Sequence, residues 1–336
     1  MPNLFDPIDI PGTALRLRNR VVMPPMNMDD AGPGGVVTDR VVEHYVKRAK
    51  GGVGLVIVAA AYVREDGKLS PNQLGIALDG HIEPLAHLAQ AIQDDGAAAA
   101  IQIHHAGGVA NPRSIGGPPI APSGGVFPNA DVDLTAHEME DLVRAFGDAA
   151  GRARAAGFDA VELHGAHGFL VTQFLSPATN RRRDGYGGSF DNRLRFALEC
   201  LAAMREATAP DYPIFVRISA REDKPGGISL EDGCRIAQAL VSGGACVIDV
   251  SASLDLRGEP EPGYMVPLAF AVKQAVAGGA PPAVPVIAVG RLHYPDLANR
   301  VIAEGKADLI AIGSQLLKQP DWPLQAAAAL GQKMRG

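Results

Sequence analysis

Short, almost continuous apolar runs recur along the chain at 20–24, 53–59, 98–103, 158–163, 214–218, 246–250, 284–289 and 308–312. Most lack the polar alternation of a sheet with one wet face, so both faces must be covered, as in parallel strands wrapped by helices. The intervals between them carry helical patterns at 39–50, 82–94, 136–156, 192–207, 230–242, 266–277 and 295–303. Gly51-Gly52, Gly96, Gly157 and Gly243-Gly244 stand where four of these helices should stop. Eight strands alternating with seven helices predict an α/β fold, a (β/α)8 TIM barrel, as a single domain over residues 1–336. Proline and glycine concentrate in 111–130, which predicts a rim excursion after the third strand, built as a β-hairpin or lid.

Composition narrows the class. Over 336 residues, 47% are hydrophobic and 20% charged, a balance that predicts a soluble globular enzyme with a large core. A net charge of −6 without a basic run points away from nucleic acid and from anionic membranes, and toward a small-molecule substrate. Cys200, Cys234 and Cys246 are far apart and form no C-x-x-C pair, so neither zinc nor an iron–sulfur cluster has its usual ligands. The opening MPNLFDPIDI lacks the pattern of a signal peptide, and no apolar stretch approaches the ~18 residues of a membrane span, so the expected location is cytoplasmic.

The chemistry-bearing residues stand at the C-terminal ends of the predicted strands, where barrel enzymes place their sites. These ends read Pro25-Met26-Asn27, Ala59-Ala60, Gln102 with His104-His105, His164 with His167, Arg217-Ile218-Ser219, Ser251, Gly290-Arg291 and Gly313-Ser314. Glycines after the seventh and eighth strands occupy the usual phosphate position of a barrel, and Arg291 adds a guanidinium for phosphate oxygens. No G-x-G-x-x-G dinucleotide fingerprint is present. A rival arrangement is a metal-dependent barrel hydrolase: Glu162 and His164 share one strand face, and His104, His105 and His167 could complete a site. Spacing spells out no closed ligand set for it, and the expected metal content is none.

The segment 164–193, HGAHGFLVTQFLSPATNRRRDGYGGSFDNR, holds most of the recognisable motif content. With Leu4-Phe5-x-Pro7, the run from Leu17 to Met26, Gln102-Ile103-x-His105-Ala106-Gly107, Phe215 to Ala220 and Ala307 to Gly313, it resembles the old yellow enzyme family of FMN-dependent ene-reductases over nearly the whole chain. The resemblance implies non-covalent FMN across the barrel top. Backbone at Pro25, Met26 and Ala60 would hold the ring, with Asn27 beside O4, Gln102 on the pyrimidine edge and Arg217 near N1 and O2. Gly290, Arg291, Gly313 and Ser314 would take the phosphate. His164 and His167 would be the catalytic pair, donating to a substrate oxygen so that the β-carbon of a conjugated alkene accepts hydride.

Four departures from the family pattern bear on chemistry. Phe169 stands where the family usually carries the tyrosine that protonates the substrate, which leaves Tyr62 and Tyr264 as candidate donors. Asn27 replaces a threonine or cysteine, Gly108 and Val109 replace a basic pair, and Ser314 replaces a phosphate-binding arginine. Arg183, Asp184, Tyr186, Gly187, Gly188, Asn192 and Arg193 read as loop-pinning residues rather than catalytic ones. The expected function is an FMN-dependent NAD(P)H oxidoreductase reducing enones or similar small electrophiles by a ping-pong cycle, with NADH or NADPH as reductant. The alternatives are a flavin-dependent dehydrogenase or desaturase, a quinone or nitro reductase, the metal-dependent hydrolase, and a non-catalytic flavin-binding protein. Arg335 hints at a homo-oligomer in which it reaches a neighbouring site.

Overall fold

The structure, a computed structural model, describes residues 1–256, 258–278 and 283–334; Arg335 lies outside the described residues. A small antiparallel hairpin, β1 (Ile8–Asp9) and β2 (Arg16–Leu17), comes first. Eight parallel strands then close a barrel in chain order: β3 (Val21–Met23), β4 (Leu55–Tyr62), β5 (Ala98–His104), β6 (Ala160–Gly165), β7 (Ile214–Glu222), β8 (Val247–Ser253), β9 (Val286–Ala288) and β10 (Leu309–Ala311), with β10 pairing back to β3. This is the (β/α)8 architecture that the apolar runs predict.

Helices cover the outside: α1 (Asp39–Lys50), α2 (Ile82–Gln93), a short α3 (Pro112–Ile115), α4 (Ala136–Ala155), α5 (Leu170–Leu175), α6 (Phe190–Ala207), α7 (Leu230–Ser242), α8 (Val266–Ala277), α9 (Pro295–Ala303), α10 (Ser314–Lys318) and α11 (Trp322–Ala329). Thr38, Thr135, Ser189 and Ser229 cap α1, α4, α6 and α7 by accepting a backbone N–H in the first turn. The Ser189 cap is why α6 begins at Phe190 and not two residues later.

The barrel interior changes character from bottom to top. Its lower part is filled by Val22, Leu55, Ala100, Ala160, Phe215, Val247, Ile287 and Leu309, closed from beneath by Ile10 and Leu17 of the hairpin region. Each fully buried large side chain contributes about 1.5–3 kcal/mol. Because inward positions recur every second residue, the same strands next present Gln102, Glu162, Arg217 and Asp249, and above them His104, His164, Ser219 and Ser251. The apolar floor thus fixes the register of a charged layer and, over it, a layer of imidazoles and hydroxyls. All eight of these polar residues are buried.

The excursion expected as a hairpin is instead an irregular loop carrying α3, with only isolated bridges Ala121–Asp133 and Phe127–Ala130. Five prolines and six glycines between 107 and 130 remove ladder donors and favour turns, which explains why no strand pair forms. Among the described residues no helix is long and apolar enough to cross a membrane.

Candidate active site

His164 ends β6 and His167 sits in the turn just beyond it, their rings edge-on with centroids 5.1 Å apart. The Ala166 N–H donates to His164 Nδ1 at 3.3 Å, which makes Nδ1 the acceptor and leaves the ring proton on Nε2. His167 adopts φ +59°, an uncommon value for a residue with a side chain. Its backbone N–H donates to Ser219 Oγ at 3.0 Å, and its Nε2 lies 2.7 Å from Ser251 Oγ. Serines from β7 and β8 thereby hold a strained residue in place, the pattern of a functional turn. Burial, then His167, His104 and Arg217, hold the His164 pKa well below the usual range; the packed rim and Arg217 lower His167 as well. Both imidazoles are neutral hydrogen-bonding groups near pH 7, not cations.

Beneath them lies the charged layer. Arg217 Nε is 3.0 Å from Asp249 Oδ2, an ion pair almost wholly removed from solvent. Glu162 accepts from Gln102 Nε2 at 2.8 Å through Oε1, while its other oxygen has no hydrogen-bond partner. Burial and the neighbouring Asp249 raise the Glu162 pKa to about 8 against the opposing pull of Arg217.

His104, read in sequence as a strand-end residue and a candidate metal ligand but given no role beside the flavin, belongs to this site. Its ring stacks near His164 with centroids 6.1 Å apart and meets Phe169 edge-on at 5.0 Å. Its Nε2 faces the Gln73 amide, which also donates to Ala60 O at 2.6 Å and accepts from Leu69 N at 2.7 Å through Oε1. Gln73 had no sequence signal, because it reaches the site from a loop. Among the described residues no group of three or more His, Cys, Asp or Glu side chains could hold a metal ion.

Beyond β9 and β10 opens a cavity of ≈ 470 Å³ lined by Tyr264, Gly290, Arg291, His293, Gly313, Ser314 and Lys318, among others, within the range of small-molecule sites. Gly290 adopts φ +115°, and a Cβ there would crowd Met265 at 3.1 Å. Arg291, at φ +52°, pairs with Glu259 at 2.6 Å and donates to Pro260 O. Lys318 was not singled out from sequence. The signal was its place four residues after Ser314, on one face of the short α10. A larger hollow of ≈ 610 Å³, lined by Arg16, Gln93, Arg154, Asp159 and Tyr212, sits under the N-terminal strand ends, away from these groups.

Pro25 and Met26 follow β3, and Met26 lies beside Gly313: a Cβ there would stand 3.2 Å from Met26 Sδ and 3.6 Å from Pro24 Cγ. Asn27 is exposed, and its amide donates to Ser70 Oγ at 3.1 Å. Tyr62 is buried at the end of β4 with its hydroxyl donating to Gly34 O at 2.7 Å, which commits its proton to the fold. Tyr264 lines the cavity beyond β9 and β10, not the histidine pair. The loop after α5 is pinned chiefly by Arg182: its guanidinium donates to Pro122 O and Leu134 O, both at 2.7 Å, and pairs with Asp184, whereas Arg183 is exposed. Asn192 and Arg193 bond the loop backbone, and Tyr186 bonds Glu199.

A family model described as NADH:flavin oxidoreductase / NADH oxidase matches residues 3–333. The NADH oxidase of Thermoanaerobacter brockii is 42% identical over 349 aligned positions, covering 99% of this chain and 52% of that protein. The NADPH dehydrogenase of Geobacillus thermodenitrificans is 40% identical over 338 positions, covering 98% and 95%. A solved structure of 2-naphthoyl-CoA reductase with 2-naphthoyl-CoA superposes with a TM-score of 0.91 at 27% identity, covering 98% of this chain and 52% of that one. The chain therefore spans about half the length of the Thermoanaerobacter protein and of the reductase.

Proposed function

Because the chain belongs to the NADH:flavin oxidoreductase / NADH oxidase family, we propose that it is an FMN-dependent oxidoreductase that takes reducing equivalents from NADH or NADPH and passes them to an enone or similar small electrophile. The observation that carries this reading is the pair of neutral imidazoles, His164 and His167, held above a buried Arg217 at the barrel mouth. The residues fit a flavin nucleotide. A cation and an amide, Arg217 and Gln102, stand in the buried layer under the mouth, and a cavity with Arg291, Lys318 and two close-packed glycines continues to one side.

FMN, when bound, supplies the hydride chemistry that no side chain can. In this reading Arg217 and Gln102 face the pyrimidine side, Pro25, Met26, Asn27 and Ala60 border the ring, and Gly290, Arg291, Gly313 and Ser314 receive the phosphate. His164 offers its Nε2 proton to a substrate oxygen, and Ser251, donating to His167 Nε2, leaves the Nδ1 proton of that ring for the same oxygen. Two preorganised donors stabilise charge that develops on that oxygen. The aprotic Phe169 beside His164 favours a second reading, in which a quinone, a nitro compound or a desaturation is the natural reaction.

Residues 1–336 would act as one flavin-binding barrel, in the cytoplasm where reduced nicotinamide is available, and as a homo-oligomer. Neither a nucleic acid nor a membrane is a partner in this reading. The purified protein should be yellow, and anaerobic NADH or NADPH should bleach it. Reoxidation by an enone, a quinone or a nitro compound then identifies the acceptor class. A colourless protein that neither binds added FMN nor is reduced would overturn the reading.

A further inference from the structure

The mouth holds one buried cation and two buried carboxylates, and the geometry does not treat the carboxylates alike. Arg217 Nε and Asp249 Oδ2 form an ion pair at 3.0 Å, with side-chain exposures of 7% and 1%, although neither Arg217 Nε nor either Asp249 oxygen makes a hydrogen bond. Glu162 is fully buried, and its one hydrogen bond comes from the neutral Gln102 amide. Its Oε2 finds no partner among the described residues. The groups facing it are Gln102 and His104 on β5, its own strand neighbour His164, Arg217 on β7 and Asp249 on β8. The barrel's inner faces on β3, β4, β9 and β10 contribute Val22, Leu55, Ile57, Ile287, Leu309 and Ala311 instead. With Arg217 balanced by Asp249, an ionised Glu162 would leave one unbalanced negative charge in a dry layer, which is costly. A neutral acid avoids that cost and leaves its proton on the orphan oxygen.

Resting on the flavin reading above, we propose that Glu162 is a positioning residue that stores a proton beneath the flavin and ties the reduction potential to pH. Hydride transfer from NAD(P)H to FMN moves two electrons and one proton, releases NAD(P)+, and adds one negative charge beside Arg217. That charge and an ionised Glu162 repel one another across the same layer. At neutral pH Glu162 already carries its proton, so the new negative charge meets a layer of zero net charge. In alkaline solution Glu162 is ionised in the oxidised enzyme, and reduction draws one additional proton from water onto it. The pKa raised to about 8 by burial and Asp249 places the onset of that uptake. Gln102 transmits the state of the acid, because its amide is bonded to Glu162 and stands in the same layer.

The test is the midpoint potential of the FMN-loaded enzyme from pH 6 to 10, by equilibration against a reference dye, for the wild type and Glu162→Gln. The wild type should change slope, from one proton per two electrons at neutral pH to two at alkaline pH, while the variant keeps the single-proton slope throughout. Equal slopes in both proteins at every pH would overturn the proposal. Infrared spectroscopy of the cofactor-free wild type supplies a readout that needs neither flavin nor a folded variant. A protonated-carboxyl band should be present at pH 7 and lost in alkaline solution, and its absence at pH 7 would equally overturn the proposal. Failure to bind FMN would sink the flavin reading instead, and the infrared band would still show whether a buried carboxyl holds a proton at pH 7.

Discussion

Phe169 lies edge-on against His164, with ring centroids 4.9 Å apart and planes at 76°. An apolar ring therefore touches one of the two proposed oxygen-binding imidazoles, at the position that the resemblance equates with the family's proton-donating tyrosine. Phe169→Tyr adds a hydroxyl at that place with little change of shape. If the natural acceptor is an enone, reoxidation of the reduced enzyme by enones should accelerate, by at least about tenfold of the ~10²–10⁴ that a general acid can supply. Reduction by NAD(P)H should stay within about twofold. Stopped-flow measurement of the two half-reactions separates these effects, and an unchanged or slower enone step would point to an acceptor that takes no proton there.

Ser251 is the side chain that orients His167, at 2.7 Å. Ser251→Ala should weaken the spectral binding of phenols by about five- to tenfold, the loss of one hydrogen bond of ~1 kcal/mol, with FMN retained. Replacing both histidines with alanine should abolish the perturbation. Phenol binding unaffected by the double replacement would remove the pair from the oxygen site.

Arg182 and Arg183 provide a matched pair for stability. The buried Arg182 makes two 2.7 Å bonds to backbone carbonyls besides its pair with Asp184. Arg182→Ala strands those carbonyls and should cost about 2–4 kcal/mol in chemical denaturation. Arg183 is exposed, and Arg183→Ala should change stability by no more than ~0.5 kcal/mol. Similar losses in both would mean that the loop is not held from Arg182.

Burial, and then the adjacent His105, lower the His104 pKa from 6.5 to about 3. The unfolded chain takes up that proton as pH falls through 6.5, whereas the folded protein does not until about 3. The stabilisation is therefore complete above pH 6.5 and is lost progressively as pH falls toward 3. Between pH 7 and 5 this site alone should remove about 2 kcal/mol. His104→Phe strands the Gln73 amide at both pH values, so its cost is constant and only the pH slope becomes shallower. An equal pH slope in wild type and variant would show that another group governs it.

The barrel was legible because parallel strands covered on both sides must read as apolar runs, and each of the eight runs corresponds to a strand. The strand-end polar groups were legible for the same reason, since any polar residue there breaks the run. What escaped were contacts that depend on three dimensions. Gln73 reaches His104 from a loop 31 residues away, and nothing local marks it. Arg182 and Arg183 are adjacent and chemically identical, so only the packing of Pro122 and Leu134 tells them apart. Tyr62 reads as a rim acid until the backbone of Gly34 is seen to accept its proton.

The proposed phosphate side of the site makes the sharpest quantitative demand. Arg291 is held in a left-handed conformation at φ +52° and is paired with Glu259 at 2.6 Å, so part of its charge is already answered. Lys318 lines the same cavity from α10 and has no ion-pair partner among the described residues. Arg291→Ala should weaken FMN binding by about 10- to 100-fold, the loss of a charge-assisted contact worth ~1.5–3 kcal/mol. Lys318→Ala should cost about threefold, and that cost should shrink at high salt because the ammonium is exposed. Glu259→Gln should strengthen binding, since it frees the Arg291 guanidinium for the phosphate. Titration of cofactor-free protein with FMN at two ionic strengths measures all three. Unchanged affinity in Arg291→Ala would place the phosphate elsewhere, and weaker binding in Glu259→Gln would mean that the carboxylate positions Arg291 for the phosphate rather than competing with it.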